Sequence, residues 1–376
     1  MKIAIMTHPL GKNYGGIMQA WALQQVLKNA GHVPVTIDRQ ASAGPAYRAA
    51  RSSYRALQKL LGKRKGPINL ERHLPTILSQ TNGFIEQNLK MSEPLNSTAN
   101  LKAHFERGQY DAVIVGSDQT WRPCYSPNID NFFLDFIQGS AIKRIAYASS
   151  FGVDEWEFTK EQTLRCAALA KQFDAISMRE NSGADLCRSH FGVEATHVLD
   201  PTLLLEKSFY EALYKNKDIP ERQGLYKYIL DQANWKDRVV ETVKKELNKK
   251  EYCNQPKASL SGFSSSNLAD YKMPSVEGWI KGFADAEFVI TDSFHGTIFS
   301  IIFNKPFISL INPGRGASRF YSILEELFLR DRLVTDFDED SLKRLLRTKV
   351  DWTSVNDSLA SSTSKSVDFL RAALSV

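Results

Sequence analysis

The stretch KIAIMTHPLGKNYGGIMQAWALQQVLKNAGHVPVTIDR, residues 2–39, carries the pattern that decides the fold. It opens with a short apolar run, KIAIM, which is typical of a buried strand. Apolar side chains then recur at helical spacing and stop at Gly31, a residue that commonly ends helices. HVPVTIDR has the composition of a second strand. A strand, a helix and a strand in this order form a βαβ unit, which predicts a parallel sheet.

The same alternation of apolar runs and amphipathic segments recurs along the chain. Further strands are predicted in YDAVIVG, KRIAYASS, AISMR, ATHVLD, LYKYILD, EFVITDS and PFISLIN. The two consecutive blocks predict an α/β fold in which two Rossmann-like, doubly wound domains face a cleft. We expect an N-terminal domain over residues 1–205 and a C-terminal domain over residues 206–337. A helical segment, residues 338–376, is expected to pack back on them.

The composition is that of a soluble globular protein, with 43% hydrophobic and 24% charged residues among 376. No apolar run approaches the roughly 20 residues that span a bilayer, and the N-terminus lacks the apolar region of a secretory signal. We therefore expect a cytoplasmic protein. A net charge of +6 is no signature of nucleic-acid binding. The four cysteines are scattered, so we expect no zinc site, and we expect no other metal and no cofactor.

Much of the positive charge lies in YRAARSSYRALQKLLGKRKG, residues 47–66, which contains no acidic residue. One interpretation is a solvated helix and loop. The other is a patch that contacts phospholipid or an anionic lipid-linked glycan, which would hold the protein peripherally at the inner face of a membrane. Both interpretations stay open at this stage.

The turn after the first strand is rich in small and polar residues. Gly15 and Gly16 allow the backbone to approach a ligand closely or to take a positive φ. The helix that follows presents free N–H groups to an anion, and Asn13 adds a side-chain hydrogen bond. This turn lacks the G-x-G-x-x-G spacing and does not indicate NAD.

A second turn of this design, ITDSFHG, lies at residues 290–296, where a buried strand becomes a helix. His295 stands there with Asp292, Ser293 and Gly296. Ligands of open α/β sheets bind beyond the carboxyl ends of the strands, so both turns are expected to face one cleft. The sequence therefore predicts that His295 binds a ligand or transfers protons.

Arginines follow strands in both halves. Arg179 ends a predicted strand of the first half, and Arg319 starts a helix in the second, with Arg315 nearby in sequence. The planar guanidinium group donates two parallel hydrogen bonds to carboxylate or phosphate. Together with His295, these residues are predicted to converge on one ligand that bears both anionic groups.

Six segments in this order resemble the polysaccharide pyruvyl transferase family: NYGGIMQAWALQ, VGSDQTW, ISMREN, LDPTLLL, TDSFHGTIFSIIFNKPFI and GASRF. The family is similar in architecture to glycosyltransferases of the GT-B type. The resemblance implies a transferase that moves a pyruvyl group from phosphoenolpyruvate onto two hydroxyls of a sugar, forming a ketal. The acceptor would be a cell-surface polysaccharide or its lipid-linked precursor, bound by the N-terminal domain, with the donor on the C-terminal domain.

The resemblance also implies roles for single residues. Arg179 and Arg319 match the arginine and the later basic residue that hold the donor, and His295 matches the proposed general acid or base. Asp118 and Asp292 would orient His295 or bind the acceptor, unless they cap the helices that follow them. The predicted substrate-binding set is Asn13, Gly15, Gly16, Gln19, Ser117, Asp118, Asp292, Ser293, Gly296 and Arg315.

The chain departs from the family pattern at Ser293, where many members have arginine. Serine cannot replace the charge of a guanidinium group, and Lys12, Lys305 and Arg315 are the candidates to supply it. Two other functions stay open: a glycosyltransferase that uses a nucleotide-sugar donor, and a non-catalytic glycan-binding protein.

Overall fold

The computed structural model describes residues 1–41, 53–56, 58, 60–61, 70–257, 265–311 and 316–375. Within these residues the chain forms two parallel sheets, one of six strands and one of five. The alternation of strands and helices in the sequence predicts this architecture, and the structure confirms it. Arg315 and most of the basic segment 47–66 lie outside the described residues.

The first sheet contains β1 Lys2–Met6, β2 Val33–Ile37, β3 Ala112–Val115, β4 Lys143–Ser149, β5 Ala175–Met178 and β6 Thr196–His197. The helices of this half are α1 Tyr14–Asn29, α2 Leu74–Ile77, α3 Ser79–Asn88, α4 Thr98–Gly108, α5 Lys160–Ala170 and α6 Asn181–Leu186. The strands are short and apolar because both faces of the sheet are covered. In β1, Ile3 and Ile5 pack on one face with Leu370, while Ala4 and Met6 join the core on the other.

The second sheet contains β7 Leu225–Tyr228, β8 Glu251–Tyr252, β9 Phe288–Thr291, β10 Phe307–Leu310 and β11 Leu333–Val334. Its helices are α7 Lys207–Tyr214, α8 Asn234–Leu247, α9 Val276–Asp285, α10 Phe294–Ile302 and α11 Ser318–Glu326. The two-residue strands β8 and β11 lie at the edges of this sheet and were not predicted from the sequence.

Both sheets have the same winding. The strand order is β2-β1-β3-β4-β5-β6 in the first sheet and β8-β7-β9-β10-β11 in the second. The direction of winding therefore reverses between β1 and β3 and again between β7 and β9. In doubly wound folds such a reversal opens a crevice beyond the carboxyl ends of the two strands, and ligands bind there.

The two halves share one apolar core. Helix α1 belongs to the first sheet, yet Tyr14 stacks on Trp279 of α9 with ring centroids 5.2 Å apart. The Tyr14 hydroxyl also donates a 2.6 Å hydrogen bond to the carbonyl of Pro274. Further along α1, Trp21 packs against Tyr210 of α7. These contacts hold the N-terminal end of α1 against the second half.

The C-terminal segment forms α12 Glu339–Arg347 and α13 Trp352–Leu374. Helix α12 packs on α8 of the second half, and the end of α13 packs on the first sheet through Leu370 and Leu374. The domain boundaries expected at residues 205 and 337 stay a prediction. In the described part of the chain, no helix combines the length and apolar character needed to cross a membrane.

Candidate active site

A cleft of about 370 Å³ lies where the two winding reversals meet. Turns after β1 and β3 form one wall, and turns after β7 and β9 form the other, together with the start of α11. The lining residues are His8, Lys12, Asn13, Asp118, Gln119, Tyr125, Tyr228, Leu230, Asp292, Ser293, Phe294, His295 and Arg319. Both turns singled out in the sequence therefore contribute to this cleft.

His295 lies in the first turn of α10 and is buried. The helix begins there because the Ser293 side chain accepts a hydrogen bond from the backbone N–H of Gly296. The imidazole ring occupies space that a side chain at position 15 would fill: a Cβ on Gly15 would lie 2.1 Å from His295 Nδ1. On its other side, His295 Nε2 lies 3.5 Å from Asp200 Oδ2. Gly15 and Asp200 thus hold the ring from opposite sides.

Asp200 is a buried carboxylate at the base of the cleft, directly after Leu199 and before the turn at Pro201. Its Oδ2 accepts hydrogen bonds from Arg179 Nη1 at 2.9 Å and from the Ser117 hydroxyl at 3.2 Å. Burial opposes ionisation, but the nearby His295 and Arg179 outweigh it and hold the pKa of Asp200 well below its usual range. Asp200 is therefore an anion that can stabilise a positive charge on His295.

Arg179 lies beneath the cleft and does not line it. Its side chain is buried and bridges two carboxylates, with Nη1 on Asp200 and Nη2 3.5 Å from Asp118 Oδ1. The guanidinium carbon lies 4.7 Å from the centre of the Phe294 ring, and that of Arg319 lies 5.3 Å from the same ring. The structure thus brings Arg179, Arg319 and His295 together, with only Arg319 and His295 at the cleft surface.

Arg319 is buried at the start of α11 and lines the cleft. Burial and the positive charge of Arg179 lower its pKa to about 10. Two guanidinium groups in a desolvated space repel each other, and an anion beside Arg319 relieves that repulsion. This wall of the cleft is therefore suited to an anionic group.

Asp118 follows β3 and faces both Arg179 and a histidine from the first turn. His8 Nδ1 lies 3.9 Å from Asp118 Oδ2. Burial opposes ionisation of Asp118, but Arg179 and His8 outweigh it and lower the pKa of this carboxyl. The alternative that Asp118 caps a helix is wrong, because a turn follows it and its Oδ1 accepts only the adjacent N–H of Gln119.

Asp292 lines the cleft, but its carboxylate is held by other groups. It accepts hydrogen bonds from the backbone N–H groups of Leu230 and Asp231 and from Lys236 Nζ at 2.6 Å. The expectation that Asp292 caps α10 is wrong, since Ser293 does so. The buried pair of Lys236 and Asp292 instead fixes the turn that carries His295.

Of the predicted glycines, Gly296 serves packing. A Cβ on Gly296 would lie 2.2 Å from Thr291 Oγ1, so this glycine lets α10 approach β9. Gly16 lies in α1 without a positive φ, and the nearest side chain to a Cβ there would be that of Asn13, at 3.3 Å. The positive φ considered for Gly15 and Gly16 is not observed; in that turn Gly11 has it, with φ +141°.

Asn13 and Lys12 face the cleft, whereas Gln19 and Ser117 are buried beneath it. The Gln19 amide donates to Thr7 Oγ1, and its oxygen accepts the N–H of Ser117 at 3.0 Å. These bonds tie α1 to the turn after β3. Gln19 and Ser117 therefore support the site from below.

Of the residues that were candidates to replace a guanidinium at position 293, Lys12 lines the cleft. Lys305 precedes β10 and lies at the amino ends of the strands, opposite the cleft, near Asp285 and Lys207. It is too remote to act in the cleft. Arg315 lies outside the described residues.

Sequence reasoning missed Asp200, His8, Phe294 and the exposed Tyr125. Asp200 is a polar residue after the strand ATHVL, which is the position expected of a site residue. The following Pro201 is equally typical of an ordinary turn, so the sequence did not single out Asp200. His8 follows the strand KIAIM by one residue, a position that favours the cleft. Nothing local in the sequence marks Phe294 or Tyr125.

Solved structures with the same fold include two UDP-GlcNAc 2-epimerases. That from Neisseria meningitidis, bound to UDP-GlcNAc, has 8% identity and a TM-score of 0.52, covering 99% of this chain and 100% of its own. That from Methanocaldococcus jannaschii has 12% identity and a TM-score of 0.52, covering 93% of each chain. A glycosyltransferase from Rickettsia africae matches with 12% identity and a TM-score of 0.49, over 100% of this chain and 94% of its own. At these identities the epimerases show the fold alone, and they confirm two Rossmann-like domains of the GT-B type.

No curated protein matches the sequence. The sequence model of one family, described as polysaccharide pyruvyl transferase, matches residues 13–313. The match includes Asn13 and the start of α1, the buried Arg179–Asp200 pair and the helix start at His295. The chain therefore belongs to the polysaccharide pyruvyl transferase family.

Proposed function

We propose that this protein transfers a pyruvyl group from phosphoenolpyruvate to two hydroxyls of a sugar, forming a pyruvate ketal and releasing phosphate. The observation that carries the proposal is the cluster of His295, Asp200, Arg179 and Arg319 at the cleft. In this cluster the buried carboxylate of Asp200 holds His295, and the cation Arg319 lines the cleft where a ligand would bind. Membership of the family supplies the class of reaction.

The donor is a small dianionic or trianionic molecule with a carboxylate and a phosphate. Arg319 and Lys12 line the cleft and are the cations that we assign to these groups. The lowered pKa of Arg319, caused by burial and by Arg179, supports the assignment because a bound anion would relieve the repulsion. A volume of about 370 Å³ accommodates such a donor together with part of a sugar.

The chemistry needs a proton at the methylene carbon of the donor. His295 delivers this proton, and the neighbouring carbon becomes an oxocarbenium-like centre that a sugar hydroxyl attacks. Asp200 stabilises the protonated imidazole, 3.5 Å from Nε2. The carbon–oxygen bond to phosphate then breaks, and the second hydroxyl closes the ketal.

Arg179 is assigned a positioning role in this scheme. Its two contacts, with Asp200 and with Asp118, hold both carboxylates below the cleft. Its single positive charge offsets part of their negative charge, so that less of it opposes the attraction of Arg319 for an anion. Loss of Arg179 would therefore disturb both His295 and donor binding.

The acceptor is a glycan or a lipid-linked oligosaccharide, and we assign it to the wall formed by the first half. That wall presents Asn13, Gln119 and the exposed ring of Tyr125. Polar groups around an aromatic ring suit a sugar, which has polar edges and apolar faces. A cytoplasmic location and a peripheral membrane contact through residues 47–66 stay predictions.

The test is phosphate release from phosphoenolpyruvate in the presence of a panel of acceptor glycosides, with mass spectrometry of the glycoside product. We expect phosphate release that depends on the acceptor and a product with the mass of a pyruvate ketal. Arg319→Met is expected to raise the donor KM, because the main cation at the cleft surface is lost. Transfer from UDP-sugars, without turnover of phosphoenolpyruvate, would refute the proposal in favour of glycosyl transfer.

A further inference from the structure

Ketal formation requires several proton transfers, and a single histidine is poorly placed to carry out all of them. Two hydroxyl protons leave the acceptor, one proton is added to the methylene carbon of the donor, and one departs with phosphate. The donor carbon and the acceptor hydroxyls lie on different sides of the forming bond. A group on the acceptor wall that takes protons would therefore complement His295 on the donor wall.

His8 occupies such a position. It lies two residues after the end of β1, lines the cleft, and lies against Phe132 with ring centroids 5.7 Å apart. Its Nδ1 faces Asp118 Oδ2 at 3.9 Å, and its Nε2 is buried without a hydrogen-bond partner among the described residues. A buried imidazole nitrogen without a partner is costly, which points to a role that the resting protein does not use.

The two histidines of the cleft have matching surroundings. His295, which belongs to the second half, faces Asp200. His8, which belongs to the first half, faces Asp118. Arg179 contacts both aspartates. The order through space is histidine, carboxylate, arginine, carboxylate, histidine. Each wall of the cleft thus carries one imidazole supported by one buried carboxylate.

We propose that His8 is a second catalytic residue, which accepts a proton from an acceptor hydroxyl while His295 protonates the donor. This inference rests on the proposed pyruvyl transfer. The hydroxyl oxygen uses an electron pair to bond to the central carbon of the donor, and its proton passes to His8 Nε2. When the bond to phosphate breaks, its electron pair leaves with phosphate, which then takes that proton. The second hydroxyl bonds to the same carbon and gives its proton to His295, which restores the proton that His295 gave to the methylene carbon.

The charge state of His8 suits a base. Burial lowers the pKa of His8, the negative charge of Asp118 opposes this shift, and the positive charge of Arg179 adds to it. At neutral pH the ring is therefore uncharged. The carboxylate of Asp118 faces Nδ1 and favours the tautomer with the proton there, which leaves a lone pair on Nε2.

The experiment compares His8→Gln with a matched control, His104→Gln, in the acceptor-dependent phosphate assay. His104 is also a buried histidine paired with a carboxylate: Nδ1 lies 2.9 Å from Glu93 Oε1 and Nε2 lies 2.9 Å from the Tyr110 hydroxyl. It is not among the residues that line the cleft. We expect His8→Gln to lower kcat by about 10² or more with an unchanged donor KM, and His104→Gln to leave kcat unchanged.

Two further readouts separate proton transfer from a structural role. Added imidazole should restore part of the kcat of His8→Ala, since a small base can enter the space of the lost ring. In the wild type, kcat/KM should fall on the acid side with an apparent pKa below the ordinary 6.5 of histidine, and His8→Gln should lose this limb. If the variants do not fold, the wild-type profile decides, and a rate that stays flat until acid unfolding would overturn the proposal.

The outcomes also separate this inference from the proposed function. A wild type that turns over phosphoenolpyruvate, with His8→Gln at full kcat, refutes the role of His8 alone. A wild type that shows no acceptor-dependent phosphate release refutes pyruvyl transfer and, with it, this inference.

Discussion

Gly15→Ala tests the link between the first turn and His295. The added Cβ would lie 2.1 Å from His295 Nδ1 and 2.4 Å from its Cγ. Real Cβ contacts essentially never fall below 3.0 Å, so the ring must withdraw by about 1 Å, a misplacement that can cost about 10²-fold in rate. We therefore expect kcat to fall by about that factor.

The effect on stability should be no larger in free energy, since a 10²-fold loss in rate corresponds to about 2.7 kcal/mol. Overpacking costs about 1–3 kcal/mol, but alanine is better than glycine in a helix by about 0.5–1 kcal/mol. The net loss in the free energy of unfolding is therefore at most about 2.5 kcal/mol, which urea denaturation can measure beside the phosphate assay.

Gly83→Ala serves as the control for Gly15→Ala. The added Cβ in α3 meets nothing within 4 Å. This variant should keep kcat within about twofold, since it does not crowd His295. A Gly15→Ala protein with full kcat and normal stability would show that catalysis does not depend on this placement of the ring.

Three further predictions concern the groups around that ring. His295→Ala should keep the fold and most of the donor affinity but lose about 10² or more in kcat, because a proton-transferring group acts mainly in the transition state; an unchanged kcat with a normal melting curve would make His295 structural. Lys236→Met should lower the free energy of unfolding by about 3 kcal/mol or more, because it leaves the Asp292 carboxylate buried without its cation, and adding Asp292→Asn should recover most of the loss in urea denaturation. Asp200 has a pKa in the folded protein below the ordinary 3.8. Its ionised form therefore stabilises the fold at neutral pH, and this stability is lost as the pH falls below about 5. The urea midpoint of Asp200→Asn should depend less on acid pH than that of the wild type, and an equal dependence would contradict the assignment.

Much of the fold was predictable because its signals are local. Strands such as β1, β3 and β9 are apolar runs, and polar or small residues mark the turns that follow them. Edge strands β8 and β11 were missed because they lie in the mostly polar stretches KKEYCNQ and RDRLVTDF, whereas β6, also of two residues, opens the more apolar stretch THVL. The arrangement of two sheets around a cleft followed from the repeated βαβ alternation, which needs no knowledge of contacts distant in sequence.

The site was predictable only in part because its pairs join distant parts of the chain. His295 and Arg319 were found from their places at helix starts after strands. That Gly15 makes room for His295, or that Lys236 holds Asp292, depends on contacts across the fold that no local pattern records. Arg179 was found as a strand-end arginine, but its place below the cleft depends on Asp118 and Asp200 together.

The stacking of Tyr14 on Trp279 has a consequence for how the molecule folds and moves. Helix α1 begins at the cleft and buries its apolar face in the second half, so swinging the halves apart would expose aromatic surface to water. We expect the two sheets to unfold in one cooperative transition, and either half expressed alone to aggregate through this exposed face. Access of an acceptor to His295 would then depend on side chains and turns at the rim, such as Tyr125, while the two halves stay together.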